Sequence, residues 1–416
     1  MNSRTTRGIL NEEYFWLTLI IAAGLALRAM AILAFNHMPE SDELAYRSMA
    51  LNLVRGNGIA DDMGNRAMMN VGYPLFVLAP VFAVFGENVF IARIVNALLG
   101  GAAIALCYAT AKEAGAGKLG RLLAAALWAV YLPASIYAVY LLKENLMIPL
   151  MLGVIWCALR LLKAPSSRMA LACGVLFGLL ALTGNAALSL AAPFAFALLF
   201  TPAPMQRKVL LLMLVLVSAL LVASPWMVRN LQVLGAPVLN SNGGFNLYLG
   251  NNPAATGMFV SISDTPRGPT WEAMRKEGEL RANETLKGEA IAWIKDHPST
   301  FLELAVKKAA FFWTPPVHQG KKQSSRAEPI VRFLWVLEFF VLVAGAIAGL
   351  AFAGLRNRNV TVLWLALASY TSVHMLFYVI FRYREAIMPM LCLLAAMGIA
   401  CLLERWWPRE AGQATP

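Results

Sequence analysis

Long apolar runs separated by short charged stretches make up most of this 416-residue chain. Runs at about 14–36, 90–112, 121–140, 144–162, 169–184, 187–201, 208–227, 331–354, 361–380 and 386–404 are each apolar enough to cross or nearly cross a bilayer. A helix rising about 1.5 Å per residue needs roughly 20 residues to span a hydrocarbon core about 30 Å thick. The pattern therefore predicts an all-α polytopic membrane protein with about ten transmembrane helices. The first run, from about Tyr14 to Phe35, is too long for the apolar part of a cleavable leader, contains Arg28 and has no small-x-small site before His37, so it reads as a retained span.

Two polar segments interrupt the apolar pattern, at about 37–72 and 228–330. They divide the chain into an N-terminal membrane module (1–227), an interfacial segment (228–330) and a C-terminal set of helices with a tail (331–416). The stretch at 72–86 is short and broken by prolines, which suits a helix lying at the interface. Turn-rich sequence follows residue 240, and a charged stretch at about 271–296 predicts an amphipathic helix. Lys307, Lys308, Phe311, Phe312 and Trp313 mix basic and aromatic groups as interfacial segments do.

Charge sets the orientation. With the N-terminus inside, the inner loops carry Lys112, Lys118 and Arg121, then Arg160, Lys163 and Arg168, then Arg207 and Lys208, then Arg356 and Arg358, and last Arg405 and Arg409. This is the positive-inside pattern, and it leaves both long polar segments on the outer side. The net charge of +12 thus reflects topology, not nucleic-acid binding. The composition, 59% hydrophobic and 14% charged, excludes an ordinary soluble domain. All five cysteines fall in apolar stretches, the histidines (His37, His297, His318, His374) have no metal spacing, and no GxGxxG or Walker pattern occurs in a βαβ context.

Chemistry-bearing residues concentrate at the outer surface. ESDELAY places Glu40, Asp42 and Glu43 just beyond the first span, where a carboxylate can accept the proton of an attacking hydroxyl or amine, or simply cap the helix that follows. Glu144, in KENL at the start of a span, either faces this cleft or pairs with Lys143. Arg382 and Arg384, in FRYREAIMP, run against the positive-inside bias; a lipid phosphate suits their forked donors, and snorkelling or pairing with Glu385 is the alternative. Arg28 and Arg93 carry the same ambiguity, with snorkelling favoured. The asparagines and glycines of 241–257 suit a sugar and equally suit a plain loop.

Five stretches resemble the GT-C superfamily of glycosyltransferases, specifically the protein-mannosyltransferase and aminoarabinose-transferase-like group of family 39. They are SDELAY, GYPLF with the later FG at Phe85 and Gly86, the Glu of KENL, SPWMVRNLQVLGAPVLNSNGGFNLYLGNNPAATG and FRYREAIMP. The resemblance implies a GT-C fold, a polyprenyl-phosphate sugar donor, inversion at the anomeric carbon and a site between the first outer loop and the membrane. It assigns Asp42, with Glu43 beside it, to catalysis. Tyr46, Glu144, Arg382, Arg384, Arg66, Asn251 and Asn252 become candidates for substrate binding. Aminoarabinose transferases carry a Lys before the double proline that precedes the interface helix, whereas this chain reads Asn70, Val71, Gly72, Tyr73, Pro74, so Arg66, Arg382 or Arg384 would have to meet the phosphate. An Arg-Pro common among relatives is replaced by Gly184 and Asn185, and the soluble C-terminal domain of larger members is reduced to the segment before the eighth span.

The expectation is a multi-pass protein of a bacterial inner membrane with its site facing the periplasm. Its expected partners are a polyprenyl-phosphate sugar donor, a glycan, lipid or protein acceptor and membrane lipids, with no nucleic acid. No cofactor is required, and nothing in the spacing demands a divalent metal. The competing class is a transporter or lipid flippase, which should place charges or broken helices near the bilayer midplane and often shows repeated halves.

Overall fold

The computed structural model describes residues 3–315, 328–352 and 357–406. His318, Arg356, Arg409 and the tail at 412–416 lie outside the described residues. The chain is helical throughout: α1 (Ser3–Ala34), α2 (Asp42–Val54), α3 (Ala79–Phe85), α4 (Val89–Ala114), α5 (Lys118–Val130), α6 (Leu132–Tyr137), α7 (Glu144–Lys163), α8 (Ser167–Thr183), α9 (Ala191–Phe200) and α10 (Met205–Leu234). Then come α11 (Gly243–Gly250), α12 (Trp271–Lys276), α13 (Glu279–Asp296), α14 (Pro298–Trp313), α15 (Glu328–Phe352), α16 (Arg358–Met375), α17 (Phe381–Glu385) and α18 (Met388–Trp406). Among the described residues the sole β-type pairing is an isolated bridge between Met258 and Val379.

Among the described residues, six helices are long and apolar enough to cross a membrane: α1, α4, α7, α10, α15 and α18. The remaining expected spans appear in shorter or broken form. The run at 121–140 divides into α5 and α6 because Tyr131 leaves the helical region and Pro133, which cannot continue a preceding helix, fits the first turn of the next. The run at 187–201 opens as a 3-10 turn, Asn185–Leu190, before α9. The stretch at 72–86 becomes a π turn, Pro74–Leu78, leading into α3. At 271–296 the single amphipathic helix is two, because Gly278 adopts φ 128° between α12 and α13. Helix α10 continues through residue 228 to Leu234 and stops at Gly235, which takes the left-handed conformation.

Burial separates the centre from the rim. In α7 78% of the apolar window is buried inside the protein, against 28% in each of α1, α10 and α15, so α7 is the central post and the others face lipid. Around it the main core gathers Ile104, Trp128, Met151, Ile155, Tyr370, Leu391 and Leu394. A second core joins Tyr46, Tyr73, Phe82 and Trp226 beneath the first outer loop. Arg28 and Arg93 do not snorkel. Arg28 is buried and donates to the carbonyls of Gly24 at 2.9 Å and Ala129 at 3.3 Å, while Arg93 donates to the carbonyls of Val139 and His37 at 2.7 and 2.5 Å. Both tie loops and helices together, because a backbone carbonyl inside the bundle serves a guanidinium as well as a distant headgroup does.

Without a hydrophobic drive between helices in lipid, close approach depends on small residues. Gly174 and Gly178 of α8 supply it against α10: a Cβ at Gly174 would lie 1.9 Å from Ser218 Oγ and 2.4 Å from the Val215 carbonyl oxygen. Gly174→Val is therefore expected to lower stability by about 3 kcal/mol or more through overpacking against backbone. Loss of the monodisperse peak after mild heating of the detergent-solubilised variant would report it, and a variant as heat-resistant as the parent would contradict this packing.

Candidate functional site

Three helix beginnings meet at one end of the bundle. Asp42 is the first residue of α2, Glu144 the first of α7, and Arg382 the second of α17. Acidic side chains in a first turn sit favourably at the positive end of the helix dipole. Arg382 forms an ion pair with Asp42 through Nη2 and Oδ2, and its Nε lies 3.8 Å from Glu144 Oε1. Asp42 and Arg382 keep part of their surface open, with side chains 31% and 22% exposed, whereas the Glu144 side chain is only 3% exposed. Among the described residues, Glu144 Oε2 and Arg382 Nε have no hydrogen-bond partner. Burial opposes the charge on Arg382, but Asp42 and Glu144 outweigh it and hold the guanidinium protonated.

The residues around this triad fix its position. Ser41, immediately before Asp42, has φ 51° and ψ −123°; among the described residues it is the one non-glycine with positive φ. Glu43 makes its contacts with the loops and not with Arg382. Its carboxylate accepts from the Leu141 amide at 2.7 Å and meets His37 Nε2 at 2.5 Å, which locks the first outer loop to the α6–α7 connection. Tyr46 lies one turn below Asp42, fully buried against Tyr73, and burial raises its phenol well above the ordinary value, with Asp42 and Glu144 adding to the effect.

Two cavities flank the triad. One, about 370 Å³, is walled by Leu132, Pro133, Ile136, Tyr137, Val331 and Trp335, with Ser41, Glu43 and Arg382 on its border. The other, about 240 Å³, is walled by five asparagines (Asn70, Asn185, Asn240, Asn242, Asn246) together with Lys143, Glu144, His374, Tyr378 and Tyr383. Polar strings run along its walls. Lys143 Nζ donates to Asn70 Oδ1 at 3.2 Å, and Asn70 Nδ2 to Asn185 Oδ1 at 3.3 Å. Tyr383 donates to Tyr378 at 3.1 Å, and Tyr378 to Asn246 Oδ1 at 3.3 Å. Among the described residues no three His, Cys, Asp or Glu side chains converge as a metal site would require.

Of the residues singled out from sequence, Asp42, Tyr46, Glu144 and Arg382 come together, with Glu43 behind them. Four others do not join them. Arg384 is fully buried and donates to the carbonyls of Phe312 and Thr314 at 3.1 and 3.0 Å, with its guanidinium over the Phe339 ring. Arg66 is exposed in a separate cavity with Arg275, Lys276 and Glu279. Asn251 and Asn252 are buried and spend their amide groups on the carbonyls of Leu247, Leu376 and Tyr248. Nor do the simpler pairings hold: Arg382 pairs with Asp42 and not with Glu385, whose carboxylate meets the Tyr131 hydroxyl at 3.5 Å. Sequence reasoning passed over Lys143, Asn70, Asn185 and Asn240 as cavity residues and left Asn242 and Asn246, within 241–257, open between a sugar site and a plain loop; the clustering of asparagines in NSNGGFN was the available signal.

A family model described as dolichyl-phosphate-mannose-protein mannosyltransferase matches residues 73–228. No curated protein sequence matches the chain. Among solved structures, the oligosaccharyltransferase of Archaeoglobus fulgidus in the apo form is similar at 14% identity and a TM-score of 0.57, over 95% of this chain and 51% of that one. The same organism's oligosaccharyltransferase AglB in complex with an inhibitory peptide and a dolichol-phosphate aligns at 12% identity and a TM-score of 0.51, over 94% and 51%. This chain therefore spans about half the length of those proteins. ArnT from Cupriavidus metallidurans in the apo state aligns at 16% identity over 97% of this chain and 81% of that one, with a TM-score of 0.47. Over residues 73–228 the chain is thus similar to the dolichyl-phosphate-mannose-protein mannosyltransferase family, and its fold is similar to that of the Archaeoglobus fulgidus oligosaccharyltransferase.

Proposed function

We propose that the protein transfers a sugar from a polyprenyl-phosphate donor to an acceptor at the outer face of a bacterial inner membrane, with inversion at the anomeric carbon. The observation that carries this reading is the Asp42–Arg382–Glu144 unit standing between an asparagine-walled cavity and an aromatic one. Asparagine amides offer both donors and acceptors, as sugar hydroxyls require. The oligosaccharyltransferase of similar fold is bound to a dolichol-phosphate. A phosphate leaves as a stabilised anion, so the chemistry asks for one base and nearby cations in place of a strong acid.

In the proposed reaction the acceptor hydroxyl or amine attacks the anomeric carbon from the side opposite the phosphate. Asp42 takes the acceptor's proton. The bond between the anomeric carbon and the phosphate oxygen breaks, and its electron pair leaves with the polyprenyl phosphate. Arg382 orients Asp42 and adds positive charge on the leaving-group side, and Glu144 fixes Arg382. Glu43 acts as a positioning residue. The acceptor approaches through the cavity of Tyr137 and Trp335.

The test uses the purified full chain in liposomes with a set of radiolabelled undecaprenyl-phosphate sugars and an acceptor extract from envelope membranes. Label passing from at least one donor to acceptor is the expected result. Absence of transfer from every donor, together with movement of the donor across the liposome bilayer, would instead identify a flippase.

A further inference from the structure

The asparagine-walled cavity holds a cation for which the described residues provide no counter-ion at contact distance. Lys143 lies in the connection between α6 and α7, next to Glu144 in sequence, yet among the described residues it forms no ion pair. Its ammonium donates to the neutral Asn70 Oδ1 at 3.2 Å and otherwise borders the cavity. Glu144 instead points to Arg382. A half-buried ammonium whose hydrogen-bond partner is neutral is costly to keep, and an anion entering the cavity relieves that cost. Burial pulls Lys143 below the ordinary ammonium value, with Glu144 opposing that shift and Arg382 adding to it.

The remaining walls narrow the kind of anion. Beside Asn185 and Asn246 the lining also carries the apolar side chains of Met147, Val373 and Phe377. A phosphate joined to a hydrocarbon chain matches both kinds of lining, whereas a free carboxylate or inorganic phosphate leaves the apolar residues unused. We propose that Lys143 is the principal cation for the donor phosphate, with the polyprenyl chain leaving past Met147 and Phe377 and the sugar directed toward Asp42. This rests on the donor reading given above. Of the three arginines expected to meet the phosphate, Arg384 and Arg66 face elsewhere; Arg382 keeps a supporting place, and the main contact moves to a residue of the asparagine cavity.

A binding experiment separates the two claims. The full chain in nanodiscs of neutral phosphatidylcholine is titrated with undecaprenyl phosphate and, in parallel, with undecaprenol, for the parent, Lys143→Met and Lys143→Arg. The parent is expected to prefer the phosphate. Lys143→Met should lose about 10- to 100-fold in affinity for undecaprenyl phosphate, the equivalent of one charged hydrogen bond, with undecaprenol binding and thermal midpoint unchanged. Lys143→Arg should keep most of the preference. Equal preference in the parent and Lys143→Met would overturn the role of Lys143 alone, whereas a parent with no preference would overturn the donor reading itself. Dioleoyl phosphatidic acid competing as well as undecaprenyl phosphate would assign the cavity to lipid phosphates at large and overturn the donor assignment. If Lys143→Met fails to fold, Asn70→Asp supplies the second variant: a carboxylate at the Lys143 contact should occupy the ammonium and weaken the phosphate preference while leaving undecaprenol binding intact.

Discussion

Asp42→Asn is expected to lower kcat for sugar transfer by about 100- to 10,000-fold, the usual contribution of a positioned general base. The amide keeps the shape of the carboxylate but cannot take the acceptor's proton. The Arg382 contact weakens in the variant, yet Glu144 still lies 3.8 Å away to hold that guanidinium, so this end of the bundle keeps its arrangement. Asp42 is partly exposed, and its loss leaves no buried cavity. The thermal midpoint and the affinity for donor should accordingly change little. Transfer in liposomes, measured under single-turnover conditions with matched protein, reads the effect. A rate within a factor of a few of the parent would remove Asp42 from the base role, whatever the status of the donor.

The second large effect falls on Arg382. Arg382→Met leaves two carboxylates near one another without their shared cation, one of them almost fully buried. Removing one partner of a buried ion pair costs about 3 to 5 kcal/mol, and the partial exposure of Asp42 and Arg382 places this site at or below the lower end. Activity should fall at least about 100-fold, because the proposed positive charge on the leaving-group side and the group that orients Asp42 are gone as well. Adding Glu144→Gln to Arg382→Met removes the stranded charge, so stability should return toward the parent while activity stays low. Thermal midpoints and transfer rates for the four members of this cycle separate the structural from the catalytic share. A single variant as stable as the parent, with a double variant no different from it, would show that the Arg382–Glu144 contact has no energetic content.

Apolar length and charge bias were enough to read a polytopic helical membrane protein from the sequence, because lipid imposes both directly. They could not find the breaks. Tyr131–Pro133 and the 3-10 turn after Gly184 interrupt runs whose hydropathy is continuous, and only local backbone geometry records them. In the candidate site, Asp42, Glu144 and Arg382 stood out as charges at the ends of apolar runs. The choice between Arg382 and Arg384 was not legible: residues two apart on a helical turn point to different sides, and the side facing Asp42 depends on how α17 docks. Lys143 and Glu144 posed the opposite problem, since neighbours in sequence looked like partners and face different groups. Asn251 and Asn252, in the ligand-like GNNP, are spent on backbone carbonyls around the end of α11, while the less conspicuous Asn242 and Asn246 border the cavity.

The backbone at Ser41 bears on how the proposed base is presented. A residue with a side chain gains nothing locally from φ 51°, and the free chain would leave that conformation. It is kept by anchors on both sides, the Arg93 bond to the His37 carbonyl before it and the Glu43 bond to the Leu141 amide after it. Part of the folding energy of the membrane core is thereby held as local tension next to Asp42. In terms of reorganisation, the carboxylate is already aimed before any substrate arrives, and the work of aiming it is done during folding instead of during each turnover.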